Sequence, residues 1–237
     1  MPFRFFAPFF ALLIIVAPAH ASEPQLKPFT ATYEARYSGI GVSATRELSG
    51  SGNNWRLDFN VDSMFAKIRE FSRFTRAGNQ LTPQHYEYHK TGLGRDRHTV
   101  LNFEHATQRV VNLNNSKRTL EHVPEDTHDK LTYQLQLALD IAAGKKELFY
   151  RVADGKRIQE YRFAIAGRES LKTPLGVIET VKVERVRDDD SDRETTIWFA
   201  PQWDYALVKL MQQEDGNTYQ IALTELTIAG KNAGTHQ

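Results

Sequence analysis

The 237-residue sequence contains no cysteine. Disulfide bonds, thiol catalysis and zinc–thiolate sites are therefore excluded as sources of stability or chemistry. The chain also lacks an excess of charge of one sign, because 30 Lys and Arg residues balance 29 Asp and Glu residues. Binding to nucleic acid depends on a clustered positive field, so this balance argues against a nucleic-acid partner.

Long apolar runs are lacking everywhere except near the start of the chain. Arg4 precedes an apolar run that ends at Val16, and Ala19-His20-Ala21 then has the small-x-small pattern of a cleavage site. The run is too short to cross a membrane and is typical of a secretory signal peptide. We predict a cleavable signal peptide over residues 1–21, with Ser22 as the first mature residue. Lipoprotein processing is excluded because it requires a cysteine, and the chain is not predicted to be an integral membrane protein.

Polar and apolar residues alternate with a period of two through most of the remaining chain. Residues 29–37 and 54–62 each have one apolar and one polar face, which is typical of antiparallel strands with one buried side. Gly, Asn, Asp and Pro residues mark turns between such segments. We predict a single all-β domain over residues 22–237, with flexible ends. About 10–12 antiparallel strands would form a meander curled into an open or partly closed barrel.

The predicted strands lie near residues 29–37, 41–49, 54–62, 80–90, 96–104, 107–113, 147–153, 157–166, 177–187, 193–199, 206–213 and 218–228. Residues 188–192 are predicted to form an acidic hairpin turn between two of them.

One segment has helical periodicity instead. Three leucines recur four residues apart within residues 129–143, which predicts one helix packed against the sheet. Asp126 or Thr127 is the expected N-terminal cap, and Gly144 the expected end. Residues 63–76 fit neither the helical period nor the strand period well, so a helix and a strand remain the two alternatives for this segment.

Motifs for catalysis or metal binding are lacking. No Gly-x-Ser-x-Gly sequence occurs. His85 and His89 would lie about 13 Å apart on a strand, too far to bind one ion without other ligands. Residues 188–192 begin like a calcium loop but lack its glycine and its glutamate. We therefore predict no catalytic residue, no metal and no cofactor.

Two groups of residues are candidates for binding. Aromatic side chains on strand faces that are predicted to point inward suit an apolar or amphiphilic ligand such as a lipid. The alternative is that these side chains fill a core that holds no ligand. The candidate ligand-binding residues are Tyr33, Trp55, Phe59, Phe163 and Phe199. Basic residues interleaved with phenylalanines suit an anionic membrane surface or an acidic protein partner. The alternative is an ordinary element whose phenylalanines fill the core and whose charges are solvated. These basic residues are Lys67, Arg69, Arg73 and Arg76.

Several short segments of the sequence resemble those of a known family. They include Thr173-Pro174-Leu175-Gly176, Trp198-Phe199-Ala200-Pro201 and, upstream, Asp129-Lys130-Leu131-Thr132-Tyr133-Gln134. In combination they resemble the bacterial domain-of-unknown-function family 3108, over about residues 29–227. The resemblance implies an exported protein of the cell envelope, hence a periplasmic location, and it carries over no catalytic residues. The expected architecture also resembles that of periplasmic lipoprotein carriers, an analogy of fold alone.

The function that we predict from the sequence is a non-enzymatic periplasmic binding or carrier protein for an apolar or amphiphilic ligand. An interaction module for cell-envelope assembly, using a sheet edge or the basic segment, is the alternative. An outer-membrane barrel or a hydrolase are further alternatives.

Overall fold

The computed structural model describes residues 26–37, 40–64, 66–92, 94–186, 194–214 and 216–234. These residues form fifteen β-strands, one α-helix and three short 3₁₀ helices. The predicted signal peptide and the predicted acidic turn at residues 188–192 lie outside the described residues.

The strands are β1 (Phe29–Tyr37), β2 (Ile40–Ser51), β3 (Asn54–Asp62), β4 (Ala66–Ala77), β5 (Gln80–Gly92), β6 (Arg97–Glu104), β7 (Arg109–Asn112), β8 (Thr127–His128), β9 (Leu148–Ala153), β10 (Ile158–Thr173), β11 (Gly176–Arg185), β12 (Glu194–Ala200), β13 (Ala206–Glu214), β14 (Asn217–Ile228) and β15 (Lys231–Asn232). The helix α1 is Thr132–Ala142, and the 3₁₀ helices are His105–Thr107, Ser116–Arg118 and Pro201–Trp203.

All fifteen strands belong to one sheet with a simple order. From the middle of the sheet, β1 to β7 run outward on one side as successive neighbours, and β14 back to β8 run outward on the other side. β1 pairs with β14 in the middle, antiparallel, and β15 pairs with β14 off this path. The two-residue strand β8 pairs parallel with β9, whereas the other pairings are antiparallel. The predicted all-β class and antiparallel meander are confirmed.

The structure has three strands beyond the twelve predicted segments, namely β4 and the two-residue strands β8 and β15. For β4 the reason is physical. Residues 63–76, left open between helix and strand, contain β4, which pairs with β3 and β5 along its length. Ser72 and Phe74 of β4 face the core, while Phe71 lies on the outer face, where the Arg56 guanidinium stacks 3.8 Å from its ring centre. Because Phe71 points outward and stacks on Arg56, β4 does not show the apolar–polar alternation that predicts a strand from the sequence. Phe65 lies outside the described residues.

The sheet curls around α1 and is not closed by hydrogen bonding between its outer strands. Gln136 attaches the helix to the β4–β5 hairpin, accepting from the Leu81 backbone N–H at 2.8 Å and donating to the Asn79 carbonyl at 2.7 Å. On the other side, the Tyr150 hydroxyl of β9 donates to the Asp140 carboxylate at 2.9 Å. The helix thus links the two arms of the sheet, with an apolar cluster on each side of it.

The predicted helix is confirmed with shorter bounds and a different cap. The Asp129 carboxylate, not Asp126 or Thr127, accepts the backbone N–H groups of Leu131 and Thr132 at 2.8 and 2.9 Å. Asp126 instead forms an ion pair with Arg151 at 2.8 Å. Thr127 lies in β8, where its side chain is buried. Thr127 and His128 pair as strand β8. The unpaired backbone N–H groups at the start of the helix therefore face Asp129 rather than residues further upstream.

Candidate functional site

A pocket lies between the concave face of the sheet and helix α1. Its cavity volume is about 50 Å³, and the empty space between its walls is about 620 Å³ when the adjoining open solvent is included. Strands β1 and β2 form one wall, the residues around the 3₁₀ helix Pro201–Trp203 form another, and α1 covers it. The lining residues are Leu26, Lys27, Phe29, Tyr33, Arg46, Leu48, Gln134, Leu135, Ala138, Leu139, Phe199, Trp203, Asp204, Tyr205, Ala206, Leu207, Leu226 and Ile228.

The lining is predominantly apolar because strand alternation directs one face of each strand to the interior. Leu48, Leu207 and Leu226 are buried there with the Phe199 ring. Tyr33 is polar only at its hydroxyl, which donates to the Leu207 carbonyl at 3.0 Å. Burial raises the pKa of Tyr33 to about 12, so the phenol stays neutral. Such a surface suits hydrocarbon more than a sugar or a nucleotide.

Arg46 is the exception in this lining. It lies on β2 between the inward-facing Ala44 and Leu48, and only 4% of its surface is exposed. Its Nε atom is buried and has no hydrogen-bond partner among the described residues. Burial lowers the pKa of the Arg46 guanidinium, but arginine keeps its charge in proteins. The pocket therefore combines apolar walls with one buried positive charge.

A buried polar network lies near Arg46, on the β4–β5 side of the molecule. The Tyr86 hydroxyl donates to Glu70 Oε1 at 2.5 Å, and the Ser72 hydroxyl donates to Asp129 Oδ2 at 2.5 Å. Burial raises the pKa of Glu70 to about 7, although the Tyr86 hydrogen bond and the Arg46 charge act in the opposite direction. Glu70 can therefore gain or lose a proton near neutral pH.

The wall near the 3₁₀ helix Pro201–Trp203 has an unusual backbone and an ion pair. Asp204 and Tyr205 both adopt the left-handed region, with φ of 50° and 58°, which costs energy for residues with a Cβ. The Lys27 ammonium lies 2.8 Å from the Asp204 carboxylate, and both side chains are about half exposed. The ion pair ties the segment before β1 to this wall of the pocket.

The structure separates the predicted ligand-binding residues into two sets. Tyr33 and Phe199 line the pocket, on opposite sides of the sheet centre. Trp55 and Phe163 do not line it: Trp55 belongs to the core cluster around Leu57, and the Phe163 ring packs against Tyr133 and Tyr150. Phe59 is half-buried and touches both core clusters.

The predicted basic surface lies on β4, and its members differ in their contacts. Lys67, Arg69 and Arg73 are exposed on the outer face of the strand. The Arg69 guanidinium forms an ion pair with Asp62 at 2.7 Å, and Lys67 lies 3.8 Å from the same carboxylate. Arg76, half-buried, donates to the Gly78 carbonyl at 2.7 Å. Internal contacts thus occupy much of the positive charge of this surface.

Arg46 was missed in the reading of the sequence, although a signal was present. The alternation Val42, Ala44, Arg46, Leu48 places an arginine at a position that should face the core. Glu70 was missed because its strand was not recognised. Charged residues are rarer than aromatic residues on the buried face of a strand. Arg46 is therefore a stronger indication of a functional site than an inward aromatic residue.

Among the described residues, no group of three or more His, Asp or Glu side chains is arranged to hold a metal ion. Within the same part of the chain, no helix has the length and apolar character needed to cross a membrane.

A family model places the chain among its relatives. The family described as "Protein of unknown function (DUF3108)" matches residues 32–224. The chain belongs to this family. The match confirms the resemblance inferred from the sequence, and it covers both arms of the sheet, α1 and most of the residues around the pocket of this DUF3108 protein. A comparison with curated proteins finds no match.

Two solved structures resemble this chain at low sequence identity. A β-barrel-like protein of the domain of unknown function DUF1849 from Brucella abortus is 13% identical, with a TM-score of 0.58; the alignment covers 86% of this chain and 98% of that one. A putative lipoprotein from Parabacteroides distasonis ATCC 8503 is 10% identical with a TM-score of 0.32, covering 86% and 97% of the two chains. The first likeness shows that the barrel-like architecture of this DUF3108 protein occurs in another family.

Proposed function

We propose that this DUF3108 protein is a periplasmic binding or carrier protein for an apolar or amphiphilic ligand, held in the pocket between α1 and the sheet. The observation that carries the proposal is the pocket itself, with its apolar walls open to solvent on one side. Ligand sites are concave and mostly apolar, with few polar groups that fix orientation. The periplasmic location rests on the signal-peptide pattern of residues 1–21 and is part of the proposal.

Two further features support a ligand over a dry core. The pocket retains a cavity of about 50 Å³ beside side chains that are otherwise closely packed, and folded interiors contain few voids larger than a water molecule. Strained residues, here Asp204 and Tyr205, concentrate at functional sites. Neither feature depends on the charge of the ligand.

The test is to fill the pocket without changing its charge. Ala206 lines the pocket from β13, so Ala206→Trp places an indole in the space that a ligand would occupy. We expect the mature protein to bind the uncharged fluorescent probe N-phenyl-1-naphthylamine and Ala206→Trp to bind it at least about tenfold more weakly. Ala164→Trp is the matched control, because Ala164 is exposed on β10, outside the pocket.

Two results of the probe-binding experiment would contradict the proposal. Absence of probe binding by the wild-type protein, or equal loss in Ala164→Trp and Ala206→Trp, contradicts a binding pocket. Melting curves of all three proteins show whether the tryptophan has unfolded the chain. If Ala206→Trp is unfolded, Leu135→Trp on α1 fills the same pocket from the other side.

A further inference from the structure

The buried guanidinium in the pocket is the feature that the proposed function leaves unexplained. An arginine removed from water is costly unless its N–H groups are hydrogen-bonded and its charge is balanced. Arg46 is 4% exposed, and its buried Nε–H has no acceptor among the described residues. The described residues therefore leave this buried donor without a partner.

The neighbours of Arg46 do not supply that partner. The groups that act on its charge are Tyr33, Tyr133 and Glu70. The Tyr33 hydroxyl is directed to the Leu207 carbonyl and stays neutral. The Glu70 carboxylate accepts from Tyr86, and among the described residues no carboxylate forms an ion pair with Arg46. Arg46, which lines the pocket, is thus left without a hydrogen-bond acceptor for its Nε–H and without an ion pair among the described residues, and the Glu70 charge acts on it only from a greater distance.

The charges of the pocket also limit the head of a ligand. The lining residues include two cations, Lys27 and Arg46, and one carboxylate, that of Asp204. Lys27 already pairs with Asp204 at 2.8 Å. Arg46 is therefore the lining cation without an ion pair among the described residues, and it is buried, whereas Lys27 is about half exposed.

We propose that the ligand is an amphiphile with a single anionic head, which the Arg46 guanidinium binds, and a hydrocarbon tail, which the apolar walls contact. This inference rests on the proposed function and names the ligand class of the same pocket. A guanidinium offers parallel N–H donors that match the oxygens of a carboxylate or a phosphate. Both heads share this chemistry: a fatty acid supplies the first, and an alkyl phosphate supplies the second.

The experiment compares ligands that differ only at the head. Dodecanoic acid, dodecanol and dodecyl phosphate displace the bound uncharged probe from the wild-type protein at about pH 7.5, and their dissociation constants are measured. We expect at least one anionic ligand to bind about 10–100-fold more tightly than dodecanol, which is the range for one charge-assisted interaction. A tighter acid identifies the head as a carboxylate, and a tighter phosphate identifies it as a phosphate.

Variants then assign the preference to Arg46. Arg46→Met keeps an unbranched apolar stem of similar reach, so it should still bind the uncharged probe while the anion-to-alcohol ratio falls to within about twofold of unity. Arg56→Met is the matched control, because Arg56 lies on the neighbouring strand β3, away from the pocket, and pairs with Asp58 at 2.6 Å. It should keep the wild-type ratio.

The outcomes separate the two proposals. Equal binding of anion and alcohol by the wild-type protein overturns this inference but leaves the binding pocket standing. A preference that persists in Arg46→Met also overturns it. Failure of all three ligands and of the probe overturns the proposed function instead. If Arg46→Met does not fold, Arg46→Gln, which is also uncharged, takes its place, and a preference that persists in Arg46→Gln overturns the inference in the same way.

Discussion

At the scale of single residues, two buried titratable groups make stability depend on pH in opposite directions. Burial raises the pKa of Glu70 from 4.5 to about 7, so the folded protein holds a proton that the unfolded chain releases between these values. Stability from Glu70 is therefore present at low pH and is lost as pH rises through this interval. Burial lowers the pKa of His128 from 6.5 to about 4. His128 therefore contributes stability that is lost as pH falls through this interval.

Glu70→Gln removes the ionisation and keeps the shape. We expect the variant to be more stable than the wild type by about 1–3 kcal/mol at pH 8 and to differ little at pH 4.5, because each pKa unit corresponds to about 1.4 kcal/mol. Urea denaturation across this range measures the difference, in which the effect of His128 cancels. Glu47→Gln, at an exposed position of β2, is the control. A difference that is the same at every pH would show that folding does not change the pKa of Glu70.

At the scale of elements, helix α1 depends on a residue that lies before it. The Asp129 carboxylate accepts two backbone N–H groups of the first turn and the Ser72 hydroxyl of β4. It therefore caps the helix and attaches it to the sheet at the same point. The sequence predicted the helix from its leucine spacing, but not this cap, since the contact with Ser72 depends on a strand that the sequence did not reveal.

Asp129→Ala should destabilise the protein by about 2–4 kcal/mol, because three buried donors lose their acceptor. Asp126→Ala is a matched control with an expected cost of at most about 1 kcal/mol, since its ion pair with Arg151 is largely exposed. Chemical denaturation of the three proteins provides the comparison. Equal losses from the two substitutions would mean that Asp129 does not cap the helix.

At the scale of the whole molecule, the β1–β14 ladder joins the two arms of the sheet in the middle, and side chains connect their outer parts. The Asn112 amide of β7 donates to the Gly155 carbonyl, at the turn between β9 and β10, at 2.9 Å. Gly155 has a φ of +86°, and a Cβ there would lie 2.6 Å from the Thr99 methyl group of β6. Close approach of the arms therefore requires glycine at this position.

Gly155→Ala should accordingly loosen the contact between the arms. We expect a loss of about 2–4 kcal/mol, from the strained φ together with the steric clash. Gly52→Ala has a similar φ of +56° but meets nothing within 4 Å, so it should lose only about 1 kcal/mol. Urea denaturation separates the two contributions. Identical losses would contradict close packing between the arms.

The overall class of the fold was accessible from the sequence because it depends on alternation within each strand, as in Trp55 and Leu57 of β3. The site was less accessible. Tyr33 and Phe199 were identified as inward aromatics, but their presence in one pocket depends on the pairing of β1 with β14, which no local pattern encodes. Trp55 and Phe163 have the same local pattern and lie elsewhere in the core, since alternation gives a face and not a location.

The pairing of β1 with β14 has a consequence for the order in which the molecule is made. Thr32 and Glu225, joined by a hydrogen bond across this pair, are 193 residues apart in the sequence. During synthesis the hairpins of each arm can form as soon as their residues emerge, whereas β1 waits for almost the whole chain. The inner edge of the first arm is thus exposed longest, and the pocket that β1 lines is completed last.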